Sequence, residues 1–411
     1  MDGDIFTPQG HSPLGASGSH RWLEGCYGSV GLSHGVDDEE DDTFSRPGTA
    51  AHTLGELCLI KSEEPWRYIG NHYRPETGEI NYYEGGVIED DMVLVDKEMA
   101  DAVQLYLDGV RKWHPDRHQG NTWIERQFYC PSIHKYFWGT SDLVYLDGRV
   151  LHVWDFKYGA GIVVEVENNP QLKYYACGVL EDLNLWDGVD KVVLHVSQPR
   201  GFHWRGPNRD WTIPTGDLIA WLEDELVPGM DRTLVSRDTK SGDHCRFCPA
   251  RYRACPQLMK DMKELENMLK ELEGKTAEVL DNTQIARLLN LIDVAKIVGK
   301  AAERTAFARM QAGKVVPGRK LVPAKANRVF KDGAEAEAKK TFGDKAYTER
   351  EMKSPAQIEE LPGGEAFCQR WAFKPDKGLT LVKGDDNRPA VNKDTKSLFQ
   401  PVKKRGQAAS K

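Results

Sequence analysis

Asp142, Asp155 and Lys157 are the residues of this chain whose types and spacing are best suited to chemistry. Two apolar runs, SDLVYL and RVLHVWDFK, flank Asp147-Gly148, a dipeptide favoured in two-residue hairpin turns because both central positions need positive φ. Setting Leu146 opposite Arg149 brings Asp142 opposite Val153, and the alternation of a strand puts Asp155 and Lys157 on the face of Val153. Asp142 and Asp155 are then diagonal neighbours, about 7 to 8 Å apart at the backbone and closer at their side chains. Two carboxylates this close on an otherwise apolar surface repel, and a cation between them relieves the repulsion. A hard oxygen site of this kind suits Mg or Mn, which keep waters and complete their shells with phosphate oxygens. Such an ion acidifies water, polarises a phosphoryl group and stabilises a leaving oxygen, while Lys157 can orient the water or offset developing charge. The tripeptide D-x-K alone carries little, because it recurs at Asp238, Asp261 and Asp394; only Asp155 lies in an apolar strand with a second Asp on the adjoining one.

The elements that must position these groups follow from the pattern around them. The hairpin is apolar on both faces, with Leu143, Tyr145, Val150, Trp154 and Phe156 on one and Val144, Leu146, Leu151 and Val153 on the other, which calls for helices on both sides of an α/β sheet. Pro170 opens a helix on which Gln171 and Tyr175, four apart, face the same cleft. TWIERQFYC reads as the first core strand, with Glu125 a further metal-site candidate, and DKVVLHVSQP as the strand after the helix. SRPGTAAHTLGELCL predicts a helix to about Leu59 that sets His52 and Glu56 on one face. Residues 61–121 read as an insertion that ends in a helix from about Asp96 to Trp113, with Met99, Val103, Leu107 and Val110 as its core stripe.

The second strong pattern is HCRFCPARYRAC, in which Cys245, Cys248 and Cys255 are spaced as C-x2-C-x6-C. Three thiolates ask for a fourth ligand, and Cys26, in a turn, and His244 are the candidates. Zinc and an iron-sulfur cluster both suit the spacing. Cys58, Cys130, Cys177 and Cys368 sit in apolar contexts and read as packing residues. Arg246, Arg251 and Arg253 crowd the triplet, where they either grip phosphates or offset an anionic cluster.

GTSD, DFK and QLKYY together resemble motifs II, III and Q-x-x-x-Y of the RecB-like nucleases in the PD-(D/E)XK superfamily. The resemblance implies a restriction-endonuclease-like core, a mixed central sheet flanked by helices, followed by a mainly helical C-terminal extension. It also implies that Asp142, Asp155 and the backbone carbonyl of Phe156 hold Mg or Mn, that Lys157 is catalytic, and that Gln171 and Tyr175 support the site and the DNA. Gly48 to His52 matches the G-x-x-x-H helix that gives such nucleases a histidine ligand. A solitary Cys before these motifs and a Cys triplet after them is similar to the pattern of the iron-sulfur members. That likeness implies a 4Fe-4S cluster on Cys26, Cys245, Cys248 and Cys255 closing a domain over residues 17–258. The activity implied is metal-dependent DNA exonuclease action in phage-type recombination or repair, with a single-strand annealing protein as a natural partner. A structure-specific endonuclease and a non-catalytic DNA-binding iron-sulfur module are the alternatives.

The whole chain sets limits on these readings. Its 411 residues, 40% hydrophobic, are enough for two or three domains. The formal net charge of −8 argues against a general basic coat, so nucleic-acid contact needs a local patch. KVVPGRKLVPAKANRVF, read as a strand pair, offers Lys314, Arg319, Lys320, Lys325 and Arg328. The acidic run 37–42 reads as a solvated loop. Residues 1–16 read as disordered, and a short helix capped by Ser17 or Ser19 then turns Trp22 and Leu23 inward. Two helices follow Gln257, the second capped by Thr283 and stopped by Gly313; they open an accessory domain, 259–400, with a further helix at 334–342 and a basic tail at 401–411. No apolar stretch is long enough for a membrane span and no secretory leader pattern opens the chain, so a cytoplasmic location is expected.

Overall fold

The computed structural model describes residues 10, 12–34, 36, 42–81, 92–115, 120–159, 162–252, 255–273, 277–323, 329–330, 333–347, 355–359, 361–373 and 379–383. Its centre is a mixed five-stranded sheet in which β1 (Thr122–Tyr129), β2 (Trp138–Asp147), β3 (Val150–Phe156), β4 (Lys191–Ser197) and β5 (Asn208–Pro214) lie side by side in chain order. β3 and β4 are parallel and the other neighbours antiparallel. A parallel pair needs a long crossover, and the helix Pro170–Asp182 lies in that connection.

Helices cover the sheet, as its doubly apolar strands require. On one face Val144, Leu151 and Val153 meet Leu172, Ala176 and Leu180 of the crossover helix. On the other, Leu143, Trp154 and Phe156 meet Leu54 of α1 (Asp42–Lys61) and Val103 and Tyr106 of α2 (Lys97–Trp113). The predicted stripe of Met99, Val103, Leu107 and Val110 is buried, and Asp96 caps α2 by accepting from the Met99 N–H at 2.8 Å. The crossover helix, α3, has Pro170 in its first turn and Asn169 as its cap, which accepts from the N–H groups of Gln171 and Leu172. Between α1 and α2 a small antiparallel sheet pairs His72–Arg74 with Glu79–Asn81 and with Val93–Leu94.

Several expectations need correction. The hairpin turn is Gly148-Arg149, flanked by the pair Asp147 and Val150, so Val144 rather than Asp142 faces Val153. Only Gly148 of the two has positive φ, +56°, which is the demand of a turn with glycine at its first central position. This one-residue shift of the turn leaves the faces unchanged and brings Asp142 level with Asp155. The disordered start does not reach Ser12–Ala16, because Leu14 and Ala16 are in the core. Strand β5 and the helices Thr215–Trp221 and Val227–Val235, unforeseen from sequence, continue the fold.

The chain divides into two compact units, 1–297 and 298–411, with the boundary inside the helix Asn282–Gln311. That helix is capped at Asp281, which accepts from the Gln284 N–H while Gln284 reaches back to the Asp281 N–H, not at Thr283. In the second unit, Arg319–Pro323 pairs with Leu379–Lys383 and Val329–Phe330 with Ala372–Phe373, so the two expected strands do not pair with each other. Ala334–Phe342 is helical, as predicted. Among the described residues no helix is long and apolar enough to cross a membrane.

Candidate functional site

The acidic recess lies where β1, β2 and β3 come together with α1. The carboxylate of Asp142 accepts from the Phe156 N–H at 2.7 Å, which fixes it at the point where β3 leaves its ladder with β2. His52 of α1 places Nδ1 3.6 Å from the same Asp142 oxygen, and its ring lies against Phe156. Asp155 is almost wholly buried and reaches Lys157 Nζ at 3.0 Å. Gln171, in the first turn of α3, joins these groups: its amide N–H groups donate to Asp155 Oδ1 and to the Tyr175 hydroxyl, both at 3.0 Å, and its Oε1 accepts from Lys157 at 3.1 Å. The four-residue spacing of Gln171 and Tyr175 therefore does what the sequence pattern requires of it.

Glu125 completes the recess, and the sequence undervalued it. Ile124 faces Leu143 and Arg126 faces Ser141, but Glu125 between them takes φ +48° and breaks the ladder beside Asp142. A left-handed non-glycine residue costs on the order of 1 kcal/mol, a strain typical of functional sites. One donor atom each from His52, Glu125 and Asp142 lie within 4.8 Å of one another. Glu56, one turn beyond His52, lines the same recess with Leu59, Tyr106 and Ile124. Burial first, then the charges of Asp142 and Glu56, push the Glu125 carboxyl up to about 8. Burial likewise raises Asp155, against the pull of Lys157. Two carboxylates and an imidazole gathered with their charges uncompensated form a donor set that fits a hard divalent ion.

The four predicted cysteines come together from before and after the central sheet. Cys26 follows the helical turn His20–Gly25, where Trp22 and Leu23 are buried as expected, and its sulfur points to the Asp238 carbonyl at 3.9 Å. Cys245 and Cys248 are buried and joined by a backbone bond from the Cys248 N–H to the Cys245 carbonyl at 3.3 Å, while Cys255 begins the helix Pro256–Glu271. All four are free thiols. Burial raises the Cys26 and Cys245 thiols, Cys245 to about 11, and the charges of the neighbouring cysteines push the same way. His244 is otherwise occupied: its Nε2 meets the Lys240 carbonyl at 2.9 Å and its Nδ1 side lies against Gly25.

The expected DNA-contact residues divide between the two units. Arg246 pairs with Asp243 at 3.0 Å and Arg251 donates to the Cys248 carbonyl at 3.3 Å. Arg319 and Lys320 open a strand of the second unit. Arg253, Lys325 and Arg328 lie outside the described residues. A different surface, missed from sequence, follows the strand paired with β3. After β4, which holds Lys157 through a bond from its N–H to the Ser197 carbonyl, a loop exposes 92% of Phe202 and 84% of Trp204. Gln198 ties the base of that loop to the chain just past Lys157, donating to the carbonyls of Gly159 and Ile162 and accepting from the Val164 N–H.

A family model described as Protein of unknown function (DUF2800) matches residues 11–389, most of the chain. No solved structure matches it.

Proposed function

We propose that this chain, which belongs to the DUF2800 family, is a metal-dependent deoxyribonuclease that degrades DNA from its ends. The observation that carries the reading is the meeting of Asp142, Asp155 and Lys157 at the ends of two paired strands, with His52, Glu125 and Gln171 around them. The order of helix, three antiparallel strands, crossover helix and parallel strand supports a restriction-endonuclease-like core.

His52, Glu125 and Asp142 are the donors that would hold Mg or Mn, with Asp155 on the adjoining strand. Bound there, the ion would supply Lewis acidity toward a phosphoryl oxygen and a more acidic water. The protein's own groups do the rest. The Phe156 N–H holds Asp142 in one orientation, and Gln171 locks Asp155 and Lys157 together. The Lys157 ammonium, held 3.0 Å from Asp155, orients the attacking water and offsets charge on the phosphate. Water adds to phosphorus, the bond to one ester oxygen breaks, and that oxygen takes up a proton, leaving a phosphomonoester and a hydroxyl. Phe202 and Trp204 give unpaired bases a stacking platform on the loop that follows β4, with Arg205 on the same loop for the backbone.

Four free thiols, three of them buried and Cys255 half-buried, suit zinc or an iron-sulfur cluster. Cys245 feels the charges of Cys248, Cys255 and Cys26, which supports one shared centre, and the likeness to the iron-sulfur nucleases favours a 4Fe-4S cluster there, with zinc as the alternative.

The test is to incubate anaerobically purified protein with Mn or Mg and either linear, end-labelled DNA or covalently closed circles. Loss of label from linear DNA alone supports exonuclease action. Nicked circles replace it with endonuclease action, and binding without cleavage of either form favours a non-catalytic module.

A further inference from the structure

A second group of donors lies apart from the acidic recess, between the end of α2 and the sheet. His114 follows α2 directly, His152 is on β3 three residues before Asp155, and His195 is on β4 level with Trp154. The three are 1%, 5% and 1% exposed. One ring nitrogen from each lies within 4.8 Å of the others. His152 and Asp155 are separated by about 10 Å of strand, so the two groups of donors are distinct sites.

We propose that His114, His152 and His195 bind one borderline transition-metal dication, zinc before others, and so pin the end of α2 to the sheet. His152 Nδ1 and His195 Nε2 face each other at 2.9 Å with a single hydrogen between them. His114 Nε2 accepts from the Trp154 N–H at 2.8 Å, so this nitrogen carries a lone pair rather than a proton. A tetrahedral ion with nitrogen bonds of about 2.0 to 2.1 Å holds its ligand nitrogens about 3.3 to 3.4 Å apart. Exchanging the shared hydrogen for an ion therefore widens the His152–His195 pair only slightly. The ring that donated that hydrogen carries it on its other nitrogen instead, no net proton is lost, and His114 turns its lone pair from the Trp154 N–H to the ion. Burial lowers both His152, to about 4, and His195, which keeps the rings neutral as ligands must be. An all-imidazole set selects zinc, cobalt, nickel or copper over magnesium, which prefers oxygen. The surroundings are aromatic: Trp154 stacks on His195 at 4.0 Å, Trp113 meets His195 edge-on at 5.0 Å, and Tyr145 lies 4.1 Å from His114. A dry, rigid shell of this kind suits a structural ion.

The experiment does not depend on nuclease activity. Full-length protein is saturated with zinc, desalted and assayed for bound metal, and its zinc absorption edge is compared in the wild type, His195→Gln, His152→Gln and Asp142→Asn. The proposal expects one zinc per chain with several imidazole nitrogens in its first shell, kept in Asp142→Asn and lost in both histidine variants. It is overturned if the wild type retains no zinc, if all retained zinc has a sulfur shell, or if the imidazole signal disappears in Asp142→Asn instead. Should the histidine variants fail to fold, the wild-type spectrum still decides, since among the described residues this cluster alone gathers more than one imidazole about a common point.

Discussion

Lys157 matters here through the company it keeps, since Asp155 and Gln171 both hold its ammonium. Lys157→Ala is expected to lower DNA hydrolysis about 10²- to 10³-fold, the usual loss when a positioned charge is removed, while metal and DNA binding persist. Gel-based cleavage together with filter binding measures both. Glu125 supplies a prediction about pH. The folded protein holds its proton up to about 8, against 4.5 for the ordinary side chain, so this group's stabilising proton is fully present below 4.5 and is lost as pH rises toward 8. Without divalent ions, stability should therefore fall between about pH 6.5 and 8 by up to about 1.4 kcal/mol per unit, and Glu125→Gln should flatten that slope. Urea titrations at the two pH values read the difference; equal slopes would remove Glu125 from the account. Asp142, Asp155, Lys157, Gln171 and Tyr175 were legible in the sequence because strand alternation and helical spacing fix their faces. Glu125 was visible only as a further candidate, because its aim depends on a single left-handed residue that no pattern announces.

At the scale of elements, the hairpin shows how a register can be misplaced without losing the site. Moving the turn from Asp147-Gly148 to Gly148-Arg149 changes every partner but no face, because both strands keep their alternation of two. Helix α3 was found from its opening at Pro170, yet its tightest constraint was hidden: a Cβ on Gly178 would lie 2.2 Å from the Phe128 ring of β1. Gly178→Ala improves helix propensity by about 1 kcal/mol but overpacks the helix against the sheet at about 1 to 3 kcal/mol, so net destabilisation is expected in chemical denaturation. The loop after β4 gave no periodic signal, since Phe202 and Trp204 stay exposed and Trp204 stacks on its neighbour His203. Replacing Phe202 and Trp204 with Ala should weaken single-stranded DNA binding about 5- to 100-fold and leave hydrolysis of a small phosphodiester unchanged. Fluorescence anisotropy and a chromogenic diester separate the two effects. The histidines of β3 and β4 were equally silent, for parallel neighbours are set by a crossover rather than by local sequence.

Across the molecule, the N-terminal turn at Cys26 and the triplet at Cys245 to Cys255 meet although more than half the chain separates them in sequence. A Cys26→Ser substitution is expected to lower iron and sulfide content and melting temperature together, whereas Cys58→Ser, in the apolar core beside α2, should leave the metal content unchanged. Spacing made the triplet visible, but only the fold shows that His244 is held by Lys240 and lies against Gly25, which favours Cys26 as the fourth ligand of the proposed centre. The basic strand of the second unit was legible as a strand but not in its partner, which lies some 60 residues downstream. The central claim is that the acidic recess hydrolyses DNA, and Mn-dependent cleavage by protein with an intact cysteine centre, compared between wild type and Asp155→Asn, tests it most directly. The account predicts strand breakage by the wild type and none by the variant at equal DNA binding; intact DNA with the wild type, or equal cleavage by both, would contradict it.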